Sequence, residues 1–171
     1  MGDLYGIECA TCDYRIEVIE GVDMLYATHN VFYGRSDDPA QNRSTAFSER
    51  FYKDGKPLLP CLVEDERIND AAFRLLSEGA TPDGHGHELY FCPKCNRLEN
   101  RFYFKLKTAE AQYEPDYQCP ICGTPLRRIR TKSGKNGQVL IVYKNNRRID
   151  WKCPECGCNK LVYSDVFGMW D

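Results

Sequence analysis

The sequence predicts a small α+β protein stapled by metal ions, two β modules with a short helical insert. Three observations predict it. Eight of the ten cysteines fall into four Cys-x-x-Cys pairs: Cys9/Cys12, Cys92/Cys95, Cys119/Cys122 and Cys153/Cys156. Apolar and polar residues alternate with period two around these pairs, as in half-buried strands, whereas the stretch 39–79 carries helical spacing. Mean hydropathy is −0.57 and the apolar 42% includes every cysteine, so the aliphatic interior is thin for 171 residues.

A Cys-x-x-Cys pair sets two thiolates on one tight turn, the bite that grips a tetrahedral ion. One such pair is a weak signal and four are a strong one. Two turns complete an all-sulfur site, so two zinc ions are expected. Gly123 and Gly157 follow the second cysteine of their turns, where a positive φ lets backbone N–H groups point at sulfur. Asp13 and Asn96 fill that slot in the other two turns, and they are the side chains that best tolerate it. A disulfide across two intervening residues is geometrically poor, which disfavours the competing reading of paired thiols. Four turns can pair in three ways. The 30-residue spacing from Cys122 to Cys153 has the length of a ribbon, which favours first with second and third with fourth. The nested arrangement, first with fourth and second with third, costs little more in loop closure and stays open. Cys61 and Cys158 are left over as spare thiols.

In chain order, Leu4 to Glu20 reads as strand, metal turn and strand, with Tyr14, Ile16 and Val18 alternating against Arg15 and Glu17. Gly34 to Asn42 is a loop, and a short helix is expected from Ser44 to Tyr52 with Phe47 and Phe51 on one face. The clearest helix starts among Glu64, Asp65 and Glu66, carries an Ile68, Ala72, Leu75 and Leu76 stripe, and stops at Gly79. Such a stripe is far more often a core face than a binding groove. Ala80 to Gly86 is expected to be a loop. Its His85-Gly86-His87 could be an extra metal site, but two histidines among glycines are more often plain loop. Strands then follow at Phe102 to Leu106, Val139 to Tyr143 and Ile149 to Lys152. The expected division is 1–115, a first module carrying the insert, and 116–171, a second ribbon, with one compact unit as the alternative.

Charge is polarised along the chain. Residues 1–91 hold 8 Lys/Arg against 17 Asp/Glu, and residues 126–152 hold 9 against 1. Arg127, Arg128, Arg130, Lys132, Lys135, Lys144, Arg147, Arg148 and Lys152 can neutralise phosphates, while Tyr143 and Trp151 could stack on bases. The bland alternative is a solvated face, or a patch answering the acidic front of the same chain. No apolar run is long enough to cross a membrane, and the start of the chain has no secretory pattern. A cytoplasmic location follows, with no membrane partner. All-cysteine sites are closed to substrate, and no nucleophile constellation or phosphate loop stands elsewhere, so no enzyme activity and no small-molecule substrate are expected.

The Cys119-Pro-Ile-Cys122-Gly and Cys153-Pro-Glu-Cys156-Gly turns resemble those of zinc ribbons, common in transcription factors, RNA polymerase subunits and ribosomal proteins. That likeness implies two zinc-ribbon-like β modules. The whole chain is similar to a group of bacterial proteins with four such turns, through Tyr5 and Cys9/Cys12 at one end and Gly168-Met-Trp170-Asp171 at the other; the group carries no function across. Cys9-Ala-Thr-Cys12-Asp-Tyr14 and Asp150-Trp-Lys-Cys153-Pro-Glu-Cys156 are similar to the two turns of rubredoxins, which implies iron as the alternative metal. The expected function is a structural zinc-binding protein that binds nucleic acid through 126–152. The alternatives are a protein–protein adaptor and a rubredoxin-like electron carrier.

Overall fold

The computed structural model describes residues 2–22, 27–32, 52–53, 56–57 and 65–170. In chain order its elements are β1 (Gly2–Cys9), β2 (Arg15–Gly21), α1 (Thr28–Phe32), β3 (Tyr52–Lys53), β4 (Lys56–Pro57), α2 (Glu66–Ser77), β5 (Thr81–Phe91), β6 (Leu98–Lys107), β7 (Gln112–Tyr113), β8 (Arg127–Ser133), β9 (Gln138–Tyr143) and β10 (Leu161–Trp170). The chain forms two units, one of residues 1–22, 86–101 and 116–171, the other of residues 23–85 and 102–115.

The first unit is an antiparallel barrel of six strands. β2 pairs β1 along its length, from Gly2↔Gly21 to Glu8↔Arg15. β1 pairs β10 from Gly2↔Trp170 to Cys9↔Leu161, with a register break between Tyr5 and Gly6. β10 meets β9 at Leu161↔Val139, β9 pairs β8, and β8 meets β5 at Tyr90↔Arg128 and Phe91↔Arg127. The pair Gly21↔His87 returns β5 to β2 and closes the ring. Closure satisfies edge groups that an open sheet would leave exposed. Inside lie Ile7, Val18, Leu89, Ile129, Val139, Ile141 and Leu161, each at most 4% exposed.

This corrects the expected fold class. Among the described residues the protein is mostly sheet, a six-stranded barrel with extra strands and little helix, and it is not an α+β pair of zinc-ribbon modules. Period-two alternation identifies a strand and the face it buries, but it says nothing about the partner. The first and last strands of the chain pair with each other, so the turns do not head separate ribbons.

Gly86 marks a second correction. The expected loop from Ala80 to Gly86 is strand from Thr81 onward, and His85 and His87 lie in that strand. Glycine is a loop signal in sequence, yet here it serves a close backbone approach. A Cβ on Gly86 would stand 2.9 Å from the Gly21 carbonyl oxygen, at the point where the barrel closes.

In the second unit α2 begins as expected. Asp65 is its N-cap, its side chain accepting from the Ile68 N–H at 3.2 Å, and Gly79 ends the segment at φ +89. Ile68 and Ala72 are buried, Leu75 and Leu76 only half so, and Asn69 is the third fully covered residue of the helix. Phe102, Phe104 and Leu106 of β6 are buried; Phe104 packs on Phe32 and Tyr113, and the His85 ring lies against Phe32 and Phe102. The expected loop at Gly34 to Asn42, nearly all of the Ser44–Tyr52 helix, and Cys61 fall outside the described residues. Among the described residues no helix is long and apolar enough to cross a membrane.

Candidate metal centres and the basic surface

The eight paired cysteines form two clusters, Cys9/Cys12/Cys153/Cys156 and Cys92/Cys95/Cys119/Cys122, and in each all four Sγ atoms lie within 4.8 Å of one another. The pairing is the nested one, first turn with fourth and second with third, and the expected pairing of first with second is wrong. Strand pairing is the reason. Cys9↔Leu161 ends the β1–β10 ladder and brings the first turn beside the fourth, where the Ala10 N–H also donates to the Lys160 carbonyl at 3.1 Å. Phe91↔Arg127 likewise sets the second turn against the third.

Both clusters fit a tetrahedral ion. Cys9–Cys156, Cys12–Cys153, Cys92–Cys122 and Cys95–Cys119 are each 3.5 Å apart at sulfur. A disulfide is about 2.05 Å long, so none of these pairs is bonded. Sulfurs at about 2.3 Å from a central zinc would stand about 3.8 Å apart, close to what the clusters present. They could therefore hold a metal ion each with little movement.

Three of the turns share one backbone design. The first cysteine's N–H donates five residues ahead, Cys92 to Arg97, Cys119 to Thr124 and Cys153 to Cys158, at 2.9, 2.9 and 2.7 Å. The residue after the second cysteine donates back to the first cysteine's carbonyl, from Asn96, Gly123 and Gly157, each at 2.9 Å. Those three residues have φ of 57, 65 and 74. Asp13 does not adopt that conformation, so the first turn keeps only the forward bond, Cys9 N–H to the Tyr14 carbonyl at 2.8 Å.

Two threonines, unremarked in the sequence, complete the sulfur environment. Thr11 Oγ1 lies 3.3 Å from Cys9 Sγ and 3.4 Å from Cys156 Sγ, and Thr124 Oγ1 lies 3.3 Å from Cys122 Sγ. The hydroxyl and N–H of Thr124 hold the Cys122 thiol down at about 6. Burial pushes Cys9 up, but the Thr11 hydroxyl and N–H outweigh it and leave that thiol also at about 6. Burial and the neighbouring thiols push Cys95 up to about 12. Without a cation, only part of each cluster ionises readily; a bound cation would favour the thiolate throughout.

The metal turns are tied to the barrel from within. Trp151 is 4% exposed, its Nε1–H donates to the Asn96 carbonyl at 2.8 Å, and its ring lies 5.9 Å from that of Tyr14. The Leu98 N–H donates to the Tyr14 hydroxyl at 3.1 Å. Trp151 therefore cannot serve as the exposed stacking ring expected from the sequence. Cys158 belongs to neither cluster; it is half-buried against the core and accepts from the Lys160 N–H at 3.4 Å.

The remaining basic residues divide. Arg128 forms a fork on Glu88 at 2.7 and 2.8 Å, and Lys144 Nζ reaches the same carboxylate at 2.8 Å. Arg130 donates to the Lys144 carbonyl and to Asn146 Oδ1, both at 2.8 Å. Arg127, Lys132, Lys135, Arg147, Arg148 and Lys152 are exposed and have no ion pair among the described residues. The Arg147 guanidinium lies over the Tyr143 ring, 4.9 Å from its centroid. His85 and His87 take part in no group of metal-ligand spacing among the described residues.

The chain matches no known family model, no curated protein and no solved structure.

Proposed function

We propose that this chain is a non-catalytic, zinc-stapled barrel that binds nucleic acid through the basic side chains of 126–152. The observation that carries the reading is the imbalance on the β8–β9 hairpin and the turn after it. Glu88 answers Arg128 and Lys144, while Arg127, Lys132, Lys135, Arg147 and Arg148 face solvent without a carboxylate among the described residues. Uncompensated cations on a rigid sheet suit a polyanion. Sulfur-only clusters leave no open position for substrate, so the metals' part is structural, and the closed-shell ion that all-cysteine structural sites most often hold is zinc. Fluorescence anisotropy of labelled DNA and RNA, read between 50 and 200 mM salt, tests it. Binding should weaken by at least about tenfold over that range if some three to five phosphates are neutralised. Absence of retention at 50 mM salt would exclude the reading.

A second reading rests on one observation. The first and fourth turns, the two that are similar to rubredoxin turns, are the pair that meets in one cluster. Tetrathiolate geometry suits iron as well as zinc. Red protein with iron in one cluster, as isolated under reducing conditions, would support an electron carrier; a colourless protein with two zinc ions would exclude it.

A further inference from the structure

The exposed cations of the hairpin do not form one even face. At the end nearest the second metal turn they surround a groove of about 750 Å³ lined by Pro93, Arg127, Arg128, Tyr143, Lys144, Asn145 and Arg147. We infer that this groove takes one nucleotide of a single strand, its phosphate on Arg127 and Arg147 and its base on the face of Tyr143.

The inference rests on the nucleic-acid reading above and narrows it to a strand form and a contact. Arg127, Tyr143 and Arg147 come together at one end of the hairpin, where all three line the groove. The groove therefore offers a cation and an aromatic ring side by side, as a phosphate and its own base require. Tyr143 is half-buried, packed on the core by one side and covered on the other by the Arg147 guanidinium. A guanidinium on a tyrosine is a stack that a base can take over, since every base presents a π face and the displaced cation can then meet the phosphate.

The groove is held in shape without ligand. The Tyr143 N–H donates to the Arg147 carbonyl at 2.9 Å and the Asn146 N–H to the Tyr143 carbonyl at 2.8 Å, with Asn146 at φ 67. Asn145 Oδ1 accepts from the Arg147 N–H at 3.1 Å, and the Arg130 side chain clasps the turn from the neighbouring strand. Arg130 is thus a positioning residue. Arg128 and Lys144 are already matched by Glu88, which leaves Arg127 and Arg147 as the phosphate contacts. Bases in a duplex have both faces stacked and cannot reach a half-buried ring, so the groove selects unpaired strands.

The test compares a ten-nucleotide oligo(U) carrying one 2-aminopurine, a duplex of equal length, and free UMP, at 100 mM salt. Single strand should bind at least about tenfold more tightly than duplex, with the 2-aminopurine quenched on binding. Tyr143→Leu should weaken strand binding about tenfold and abolish the quenching while leaving the salt slope unchanged, and Tyr143→Phe should retain both. Arg127→Gln should reduce the salt slope by about 1. A melting curve on each variant separates lost contact from lost fold. Strand binding that Tyr143→Leu leaves untouched would overturn the inference and spare the wider reading, whereas no binding of either form at 50 mM salt would remove the wider reading itself. UMP competing as well as the oligonucleotide would replace the strand by a free nucleotide and also overturn it.

Discussion

Thr124 shows how much of a candidate metal site lies outside its cysteines. Its hydroxyl, 3.3 Å from Cys122 Sγ, can donate to the thiolate, fix the sulfur's orientation and lower the thiol's proton affinity. Thr124→Val keeps the shape and removes the donor. Metal affinity, measured by competition with a chromophoric chelator, should fall about tenfold, while Thr108→Val on the surface should change nothing. An unchanged affinity would reduce Thr124 to a bystander. The eight clustered cysteines were legible because Cys-x-x-Cys is rare by chance and has one economical explanation. Thr11 and Thr124 were not, because threonine is common and its meaning here comes only from its distance to a sulfur. The burial of Trp151 is hidden in the sequence for a related reason. A tryptophan between Arg148 and Lys152 looks exposed by its neighbours, but the face it takes is set by Asn96 and Tyr14, remote in sequence.

At the scale of elements, the sequence carried strands and their inward faces well. Val18 and Phe104 point where alternation puts them, and α2 begins at Asp65 and its segment ends at Gly79, within the expected bounds. What it could not carry was partnership. A strand's pattern fixes which side chains meet the core, while pairing depends on which other edges remain open once the whole chain is placed. Both errors of pairing, of modules and of metal turns, have that one source. Gly86 lies at the most demanding join, since among the described residues only Gly21↔His87 pairs β2 with β5. Alanine there would set a Cβ 2.9 Å from the Gly21 oxygen at φ +149, a conformation that L side chains rarely adopt. Gly86→Ala should therefore cost about 2 kcal/mol, whereas Gly79→Ala, with nothing within 4 Å of the added atom, should cost about 1 from φ alone. Urea unfolding of metal-loaded protein measures both, and equal costs would show that the barrel does not close tightly at that point.

At the scale of the molecule, topology couples β1 and β10 to the four-cysteine cluster between their ends. β10 follows all eight clustered cysteines in sequence, so removing 161–171 leaves every one of them in place. If the clusters belonged to independent ribbons, that truncation would be mild, because each pair of turns would still have its own short connection. In the barrel it is severe. β10 holds β1 over eight paired positions, the last of them Cys9↔Leu161, and without it the first turn keeps against the fourth little more than the Ala10–Lys160 hydrogen bond and the Tyr14–Trp151 contact. The second and third turns are joined instead through β5 and β8, which the truncation does not touch. The shortened chain should bind about one tightly held metal instead of two, and the retained ion should be the one whose loss follows Cys122→Ser and not Cys156→Ser. Its unfolding should lose cooperativity, since on the order of 10 kcal/mol of folding free energy accompanies a structural zinc ion at neutral pH. Two tightly bound metals and an unchanged melting profile in the truncated chain would mean that the metal turns fold as local modules, and the barrel would no longer explain why they meet.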